Sequence, residues 1–235
     1  MARLQRVVLP GYPLHIMVRG HNSKDIFISD EERKSYLEWL KDAAREYELA
    51  IHAFALMPNH VHILATPKTS QSASKVMQSI GRRYAQLFNQ THGSSGTVWE
   101  GRFKSCLIDP DAYFLLVQKY IEQNPVRTGL VQKPEEWAWS SYRHHAGAET
   151  IPWIADHPSY WAIANTPFER QMAWQRSVLE PLSLSEIEKV SKHLSYGWPM
   201  ASDTFLKQLA LKTSRPLQPR LAGRPKKSER KQVLP

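Results

Sequence analysis

The chain has 235 residues, a formal net charge of +9 and one cysteine, Cys106. That length, with 42% hydrophobic residues, holds one sizeable domain or one domain with an appendage. The lone cysteine excludes an internal disulfide and a Cys-x-x-Cys finger, so any metal site uses His and oxygen ligands. No run of about 18 apolar residues is available to span a membrane, and "MARLQRVVLP" lacks a signal-peptide pattern, which predicts a soluble, intracellular protein.

Elements follow in chain order. "YPLHIMVRG" alternates Leu14, Ile16 and Val18 against His15, Met17 and Arg19, a strand pattern. Asp30 is a candidate cap for a helix with Tyr36, Leu37, Leu40, Ala44 and Tyr47 at helical spacing. "AIHAFALMPNHVHILAT" is two period-2 runs joined at "MPN", a β-hairpin signal. Val76, Ile80, Tyr84, Leu87 and Phe88 mark a second helix that "THGSSG" ends, and "FKSCLI" is a fourth short strand. This β-α-β-β-α-β order predicts an α+β, ferredoxin-like antiparallel sheet with helices on one face.

Asp109 as N-cap, Pro110 at the first helical position and Pro125 beyond the end define a further helix over about 110 to 124. Residues 150 to 180 show no clear period. Ser183 and Ser185 with Glu186 and Glu188 form overlapping capping boxes, and Ser202 or Asp203 starts a last helix. These readings divide the chain into a body over 1–146, a helical extension over 147–214 and a basic tail over 215–235. The tail holds seven Lys or Arg against Glu229 alone, which is six of the nine net charges. It therefore carries most of the argument for a polyanionic partner such as nucleic acid or an acidic membrane surface.

His60 and His62 stand two apart on a strand and so share a face with Leu64, opposite the apolar Val61, Ile63 and Ala65. Helices should cover the apolar face, leaving both imidazoles on the other and able to converge on one ion. A third ligand is needed. Tyr120 and Asn124, at i and i+4 of the helix after the fourth strand, would meet the histidines if that helix crossed the open face. The same residues also read as ordinary core and helix-end positions.

Together, "MPNHVHIL" resembles the HUH motif, two histidines around a hydrophobic residue, and "YIEQNPVRTGLV" resembles the tyrosine helix of single-tyrosine HUH transposases. With "WEGRFKS" and "WSSY", the chain is similar over roughly residues 3 to 146 to the REP-associated tyrosine transposases, relatives of the smallest bacterial insertion-sequence transposases. That resemblance implies that His60 and His62 hold a divalent metal, Mg²⁺ or Mn²⁺, and that Tyr120 is the nucleophile. Asn124 matches a third-ligand position, with Gln123 as the fallback. It further implies cutting and rejoining of single-stranded or hairpin DNA at palindromic repeats through a 5′-phosphotyrosine. It places the protein in a bacterial cytoplasm at the nucleoid, as a monomer or homodimer and without membrane contact.

Single-stranded DNA needs a positive groove with aromatic platforms, for which Trp99, Arg102, Lys104, Arg82, Arg83, Arg127 and Arg143 are the candidates. In the tail, "GRPKK" with Arg224, Lys226 and Lys227 is expected to act as a nonspecific phosphate-binding arm. Two rival readings are a catalytically silent, domesticated DNA-binding regulator and a metal hydrolase. The hydrolase would require an acidic ligand or base near His60 and His62, and "LMPNHVHILATP" has none.

Overall fold

A computed structural model, which describes residues 5–219, contains a four-stranded antiparallel sheet in the order β2-β3-β1-β4. Its strands are β1 (Leu14–Arg19), β2 (Leu49–Met57), β3 (His60–Pro67) and β4 (Lys104–Leu107). Between them run α1 (Asp30–Glu46) and α2 (Ser72–Thr91), completing the expected β-α-β-β-α-β unit. Pro58 and Asn59 form the two-residue link of the hairpin. Ladder pairs Leu56↔Val61 and Ala55↔His62 extend to β1 through Met17↔His62 and Arg19↔His60.

The two faces of the sheet belong to two cores. Leu14, Ile16, Val18, Phe54, Leu56, Val61 and Ile63 pack with Tyr36, Leu40, Val76, Ile80 and Tyr84 of α1 and α2. The opposite face is not open, contrary to the sequence reading. Met17, Ala53, Ala55, Leu64 and Cys106 on it are apolar, and they are covered by Phe114, Val117, Tyr120 and Ile121 of α3 (Pro110–Glu122) and by Val190 and Leu194 of α8 (Leu184–Tyr196). A sheet face with this much apolar area must be buried by something, and the C-terminal helices supply the cover.

Several local expectations are met or corrected by their caps. The cap of α1 is Ser29 rather than Asp30: Ser29 and Glu32 form a reciprocal capping box, which leaves Asp30 in the first turn. Asp109 accepts from the N–H groups of Asp111 and Ala112, and Pro110 opens α3. That helix stops at Glu122, and a short α4 (Asn124–Arg127) follows after Gln123. Then come α5 (Tyr142–His145), α6 (Pro158–Trp161) and α7 (Pro167–Leu179), with α8 and α9 (Asp203–Ala210) capped by Ser183 and Ser202. Periodicity does not reveal helix α7, although Thr166, Pro167 and Glu169 are its start signals: the Thr166 side chain accepts from the Glu169 N–H.

The extension packs onto the body. Ile108 and Met200 form a β-bridge, the Asp109 N–H donates to the Met200 carbonyl, and the Ala155 N–H donates to the Ile51 carbonyl. "WSSY" is also structural, because the Trp139 carbonyl and the Ser141 N–H pair with Leu56 and Phe54 along the outer edge of β2. Among the described residues no helix is long and apolar enough to cross a membrane.

Candidate functional site

His15, His60 and His62 project from β1 and β3 onto the face covered by α3, and Tyr120 comes down from that helix. The Tyr120 ring centroid lies 5.8 Å from both His62 and His15, and the His60 and His62 rings are 5.0 Å apart. Tyr120 and His62 are both buried, and His60 is partly so.

Each histidine of the hairpin is oriented through one ring nitrogen. His60 Nδ1 donates to Asn59 Oδ1 at 2.6 Å, and His62 Nδ1 shares a hydrogen with His15 Nε2 at 2.8 Å. Among the described residues neither Nε2 atom of the hairpin pair has a hydrogen-bond partner, so both imidazoles present that atom to the site. A metal-ligating histidine is held the same way, with its distal nitrogen bonded to an orienting group.

Electrostatics keep these rings neutral. Burial lowers His60 to about 4, with the Arg19 and Arg127 charges adding to it. Burial also drives His62 well below the ordinary value, followed by His15, His60, Arg127 and Arg19, and it takes His15 to about 3 with Arg127 second. Neutral imidazole is the form that ligates metal, and the nearby guanidiniums suit an anionic ligand.

Arg127, expected only as a DNA contact, belongs to this site. Its guanidinium lies 4.2 Å from the Tyr120 ring centroid and its Nη2 donates to Asn124 Oδ1 at 3.1 Å. The Nε atoms of Arg127 and Arg19 are buried without a partner. Asn124 is buried too, with its Nδ2 unpartnered and its Oδ1 occupied by Arg127. Gln123 is tied elsewhere: its Nε2 donates to the carbonyls of Val178 and Glu180 at the end of α7. Tyr120 Oη is 3.1 Å from Ser191 Oγ, which places a residue of α8 against the phenol.

The remaining expected DNA contacts are dispersed. Arg82 and Arg83 are exposed on α2, across the sheet from the histidines, and Arg83 lies over Trp39 of α1. Trp99 donates its indole N–H to the Gly81 carbonyl and packs against the α1/α2 core, so it is a wall rather than a free platform. Arg102 is exposed, Lys104 opens β4, and Arg143 donates Nε to the Glu135 carbonyl. Arg224, Lys226 and Lys227 lie outside the described residues.

A second histidine cluster has no counterpart among the sequence expectations. His144, His145 and Asp156 place ligand atoms within 4.8 Å of one another, a set compatible with a divalent metal. Its hydrogen bonds follow another logic. His145 Nδ1 is 2.6 Å from Glu122 Oε1 and its Nε2 is 3.5 Å from Asp156 Oδ1. His144 Nδ1 accepts from the Ile151 N–H, so its Nε2 carries the hydrogen that faces Asp156 at 3.3 Å. Glu122 also accepts from Ser141 Oγ and from the Trp174 indole N–H.

With this geometry in place, the comparisons are specific. Residues 10–124, which contain all four strands, the three histidines and Tyr120, match the family model described as "Transposase IS200 like". A Haemophilus influenzae protein named as a REP-associated tyrosine transposase is 26% identical over 134 residues, covering 52% of this chain and 73% of the relative. A solved structure of a REP-associated tyrosine transposase bound to a REP hairpin shares the fold at a TM-score of 0.52 and 19% identity, over 68% of this chain and 93% of its own. Residues 10–124, just under half of the chain, are thus similar to the IS200-like transposase family.

Proposed function

We propose that the chain is a DNA-nicking and rejoining transposase that acts on single-stranded hairpin DNA with Tyr120 as nucleophile. The observation that carries the reading is the convergence of Tyr120 on two neutral histidines whose Nε2 atoms are unpartnered, beneath a stacked guanidinium. Hairpins of palindromic repeats are the substrate class, in keeping with the REP hairpin bound by the solved relative.

The donor set suits a divalent cation, Mg²⁺ or Mn²⁺. His60 and His62 would hold it through Nε2, and Asn124 Oδ1 would complete the set on exchanging its Arg127 partner. Such a cation polarises the scissile phosphate and stabilises charge on the leaving 3′ oxygen. The chain's own residues do the rest. The positive charge of Arg127, 4.2 Å from the Tyr120 ring centroid, stabilises negative charge on the attacking phenol. Arg19 and Arg127 are placed to meet the phosphate, and their unpartnered Nε atoms are the donors it satisfies. As the Tyr120 oxygen bonds to phosphorus, the bond from phosphorus to the 3′ oxygen breaks; the phenol proton leaves and the 3′ oxygen gains one. The product is a 5′-phosphotyrosine, itself a phosphodiester, which a 3′ hydroxyl reopens to join new ends without ATP.

The extension over 147–214 is read as part of the working enzyme, since Ser191 reaches the phenol. The basic segment over 215–235 is read as an arm for phosphates.

The test is incubation of the full chain with hairpin oligonucleotides and Mn²⁺, followed by denaturing separation. A covalent protein–DNA adduct that disappears in Tyr120→Phe is the expected result. Hairpin binding without any adduct would make the protein a silent DNA-binding regulator.

A further inference from the structure

The tip of the β2–β3 hairpin is wrapped by the loop over 20–27. The Pro58 carbonyl accepts from the Ile26 and Phe27 N–H groups at 2.8 and 3.0 Å, and the Gly20 N–H donates to the Asn59 carbonyl at 2.8 Å. This closure demands glycine at 20: a Cβ there would overlap the Lys24 carbonyl oxygen and stand 2.7 Å from Ile26 Cγ2.

Inside the wrap, the Asn59 side chain makes two bonds of opposite sense. Its Oδ1 accepts from His60 Nδ1 at 2.6 Å, and its Nδ2 donates to the Ser23 carbonyl at 3.1 Å. A primary amide can do both; a carboxylate has no donor for Ser23, and glutamine is one methylene longer. The backbone does not ask for asparagine at this position. Two-residue hairpin links favour Asn where φ is positive, and the described non-glycine residues with positive φ are Asn22, Ser23 and Glu48. The two side-chain bonds therefore account for Asn59 better than the link does.

The acceptor has a chemical consequence. An amide oxygen cannot donate, so His60 Nδ1 keeps its hydrogen and the lone pair is left on Nε2. His62 is under no such constraint, because its Nδ1 meets His15 Nε2 and either nitrogen can carry the shared hydrogen.

The far end of Asn59 rests on strained backbone. The Ser23 carbonyl belongs to a turn over His21–Ser23 in which Asn22 (φ 54°, ψ 32°) and Ser23 (φ 55°) are both left-handed. All three side chains are exposed, so packing does not hold that conformation. Hydrogen bonds hold it: Ser23 N–H to the Gly20 carbonyl, Lys24 N–H to the His21 carbonyl, and Asn59 Nδ2 to the Ser23 carbonyl. Strained backbone of this kind persists where its surroundings over-determine it, and it gathers at functional sites.

We propose that Asn59 is a positioning residue of the metal site: it fixes His60 as the tautomer whose Nε2 lone pair is free for the cation, and the left-handed turn over 21–23 anchors it there. The assignment rests on the transposase reading above, in which His60 is a ligand, and deepens it by one step outward from the donor atoms.

Nitrogen NMR of the metal-free full chain gives the first test, with Mn²⁺ calorimetry as the second and urea unfolding as the check that each variant is folded. In the wild type, His60 should carry its hydrogen on Nδ1. Asn59→Leu, which removes both bonds, should move a large share of that hydrogen to Nε2 and weaken Mn²⁺ binding roughly 10–100-fold, the scale for an outer partner of a metal ligand. Asn59→Asp keeps the acceptor and loses the donor, so the tautomer should survive and affinity should fall by a smaller factor. Ser23→Val opposes the left-handed backbone and should also weaken Mn²⁺ binding, whereas Ser23→Gly, which accommodates it, should not. An unchanged His60 tautomer in Asn59→Leu would overturn the proposal, as would Asn59→Asp losing as much as Asn59→Leu. Should Asn59→Leu not fold, equal Mn²⁺ affinities in Ser23→Val and Ser23→Gly would overturn the anchor. A wild type that binds no Mn²⁺ would sink the metal reading, while the His60 tautomer in the metal-free protein would still judge the part assigned to Asn59.

Discussion

Two buried histidine clusters lie on either side of α3, one against Tyr120 and the other against Glu122, and burial by itself pushes His15, His60, His62 and His145 toward the neutral form. At His15, His60 and His62 the neighbouring charges are Arg19 and Arg127, which push the same way. At His145 burial is opposed by the Glu122 charge and by the hydrogen bonds that its ring donates to Asp156 and Glu122, which carry it up to about 9. The first cluster is left with neutral rings and unpartnered nitrogens, which is what a cation needs, beside arginines, which are what a phosphate needs. The second is an ion pair that ties α3, α5 and α7 together through Glu122, Ser141 and Trp174. The same residue type becomes a site or a staple according to whether arginines or carboxylates surround it.

The sharpest way to break that contrast is to remove the phenol. Tyr120→Phe should lower cleavage and adduct formation by on the order of 10⁴-fold or more, as loss of a covalent nucleophile does, with hairpin affinity changed by no more than a few-fold. Residual nicking at wild-type rates would move the nucleophile elsewhere.

On the other cluster, Glu122→Gln leaves His145 beside Asp156 alone, and removing one partner of a buried ion pair costs about 3–5 kcal/mol. Urea unfolding measures it. If the second cluster were instead a metal site, chelation would destabilise the wild type comparably, and no such effect is expected.

The orienting role of His15 separates the clusters further. His60→Ala and His62→Ala should each eliminate saturable Mn²⁺ binding by calorimetry, whereas His15→Ala should weaken it roughly 10–100-fold while leaving both ligands in place. Equal losses in all three would make His15 a ligand in its own right.

Acid and base should expose the clusters in turn. His15 and His60 are lowered to about 3 and about 4, so the unfolded chain binds more protons below pH 6.5, and stability falls as the pH drops from 6.5 toward 4. His145 is raised to about 9, so its contribution is complete below 6.5 and is lost as the pH climbs through 9. Urea midpoints should peak between these limits. Glu122→Gln should flatten the alkaline limb alone.

The smallest effect concerns the tail. Deleting residues 215 to 235 should make the dependence of log affinity on log salt shallower by roughly 0.7 for each phosphate of a single strand that the arm neutralises, with hairpin preference retained. An unchanged slope would show that the arm does not touch DNA.

Much of the fold was legible in residues 14 to 124, because period-2 and helical patterns, a two-residue hairpin link and strong caps all agree there. His60, His62 and Tyr120 could be found because motif spacing along a strand and a helix is local information. His15 could not. Its alternation with Met17 was visible, but only the β1–β3 register sets it diagonal to His62. Arg127 and Ser191 are placed by the turn into α4 and by the docking of α8, and neither placement has a sequence period. Asn124 met the expected spacing, yet its oxygen is held by Arg127, three residues on.

Alternation, propensity and caps act within a few residues, and they were enough to specify the strands, the main helices of residues 14 to 124 and which face of β1 and β3 each side chain takes. Packing had to decide that the histidine face is covered. It also decided that arginines gather at one set of histidines and carboxylates at the other. Those outcomes depend on how elements far apart in the chain meet, and the burial and charge that set the chemistry of both histidine clusters exist only once they have met.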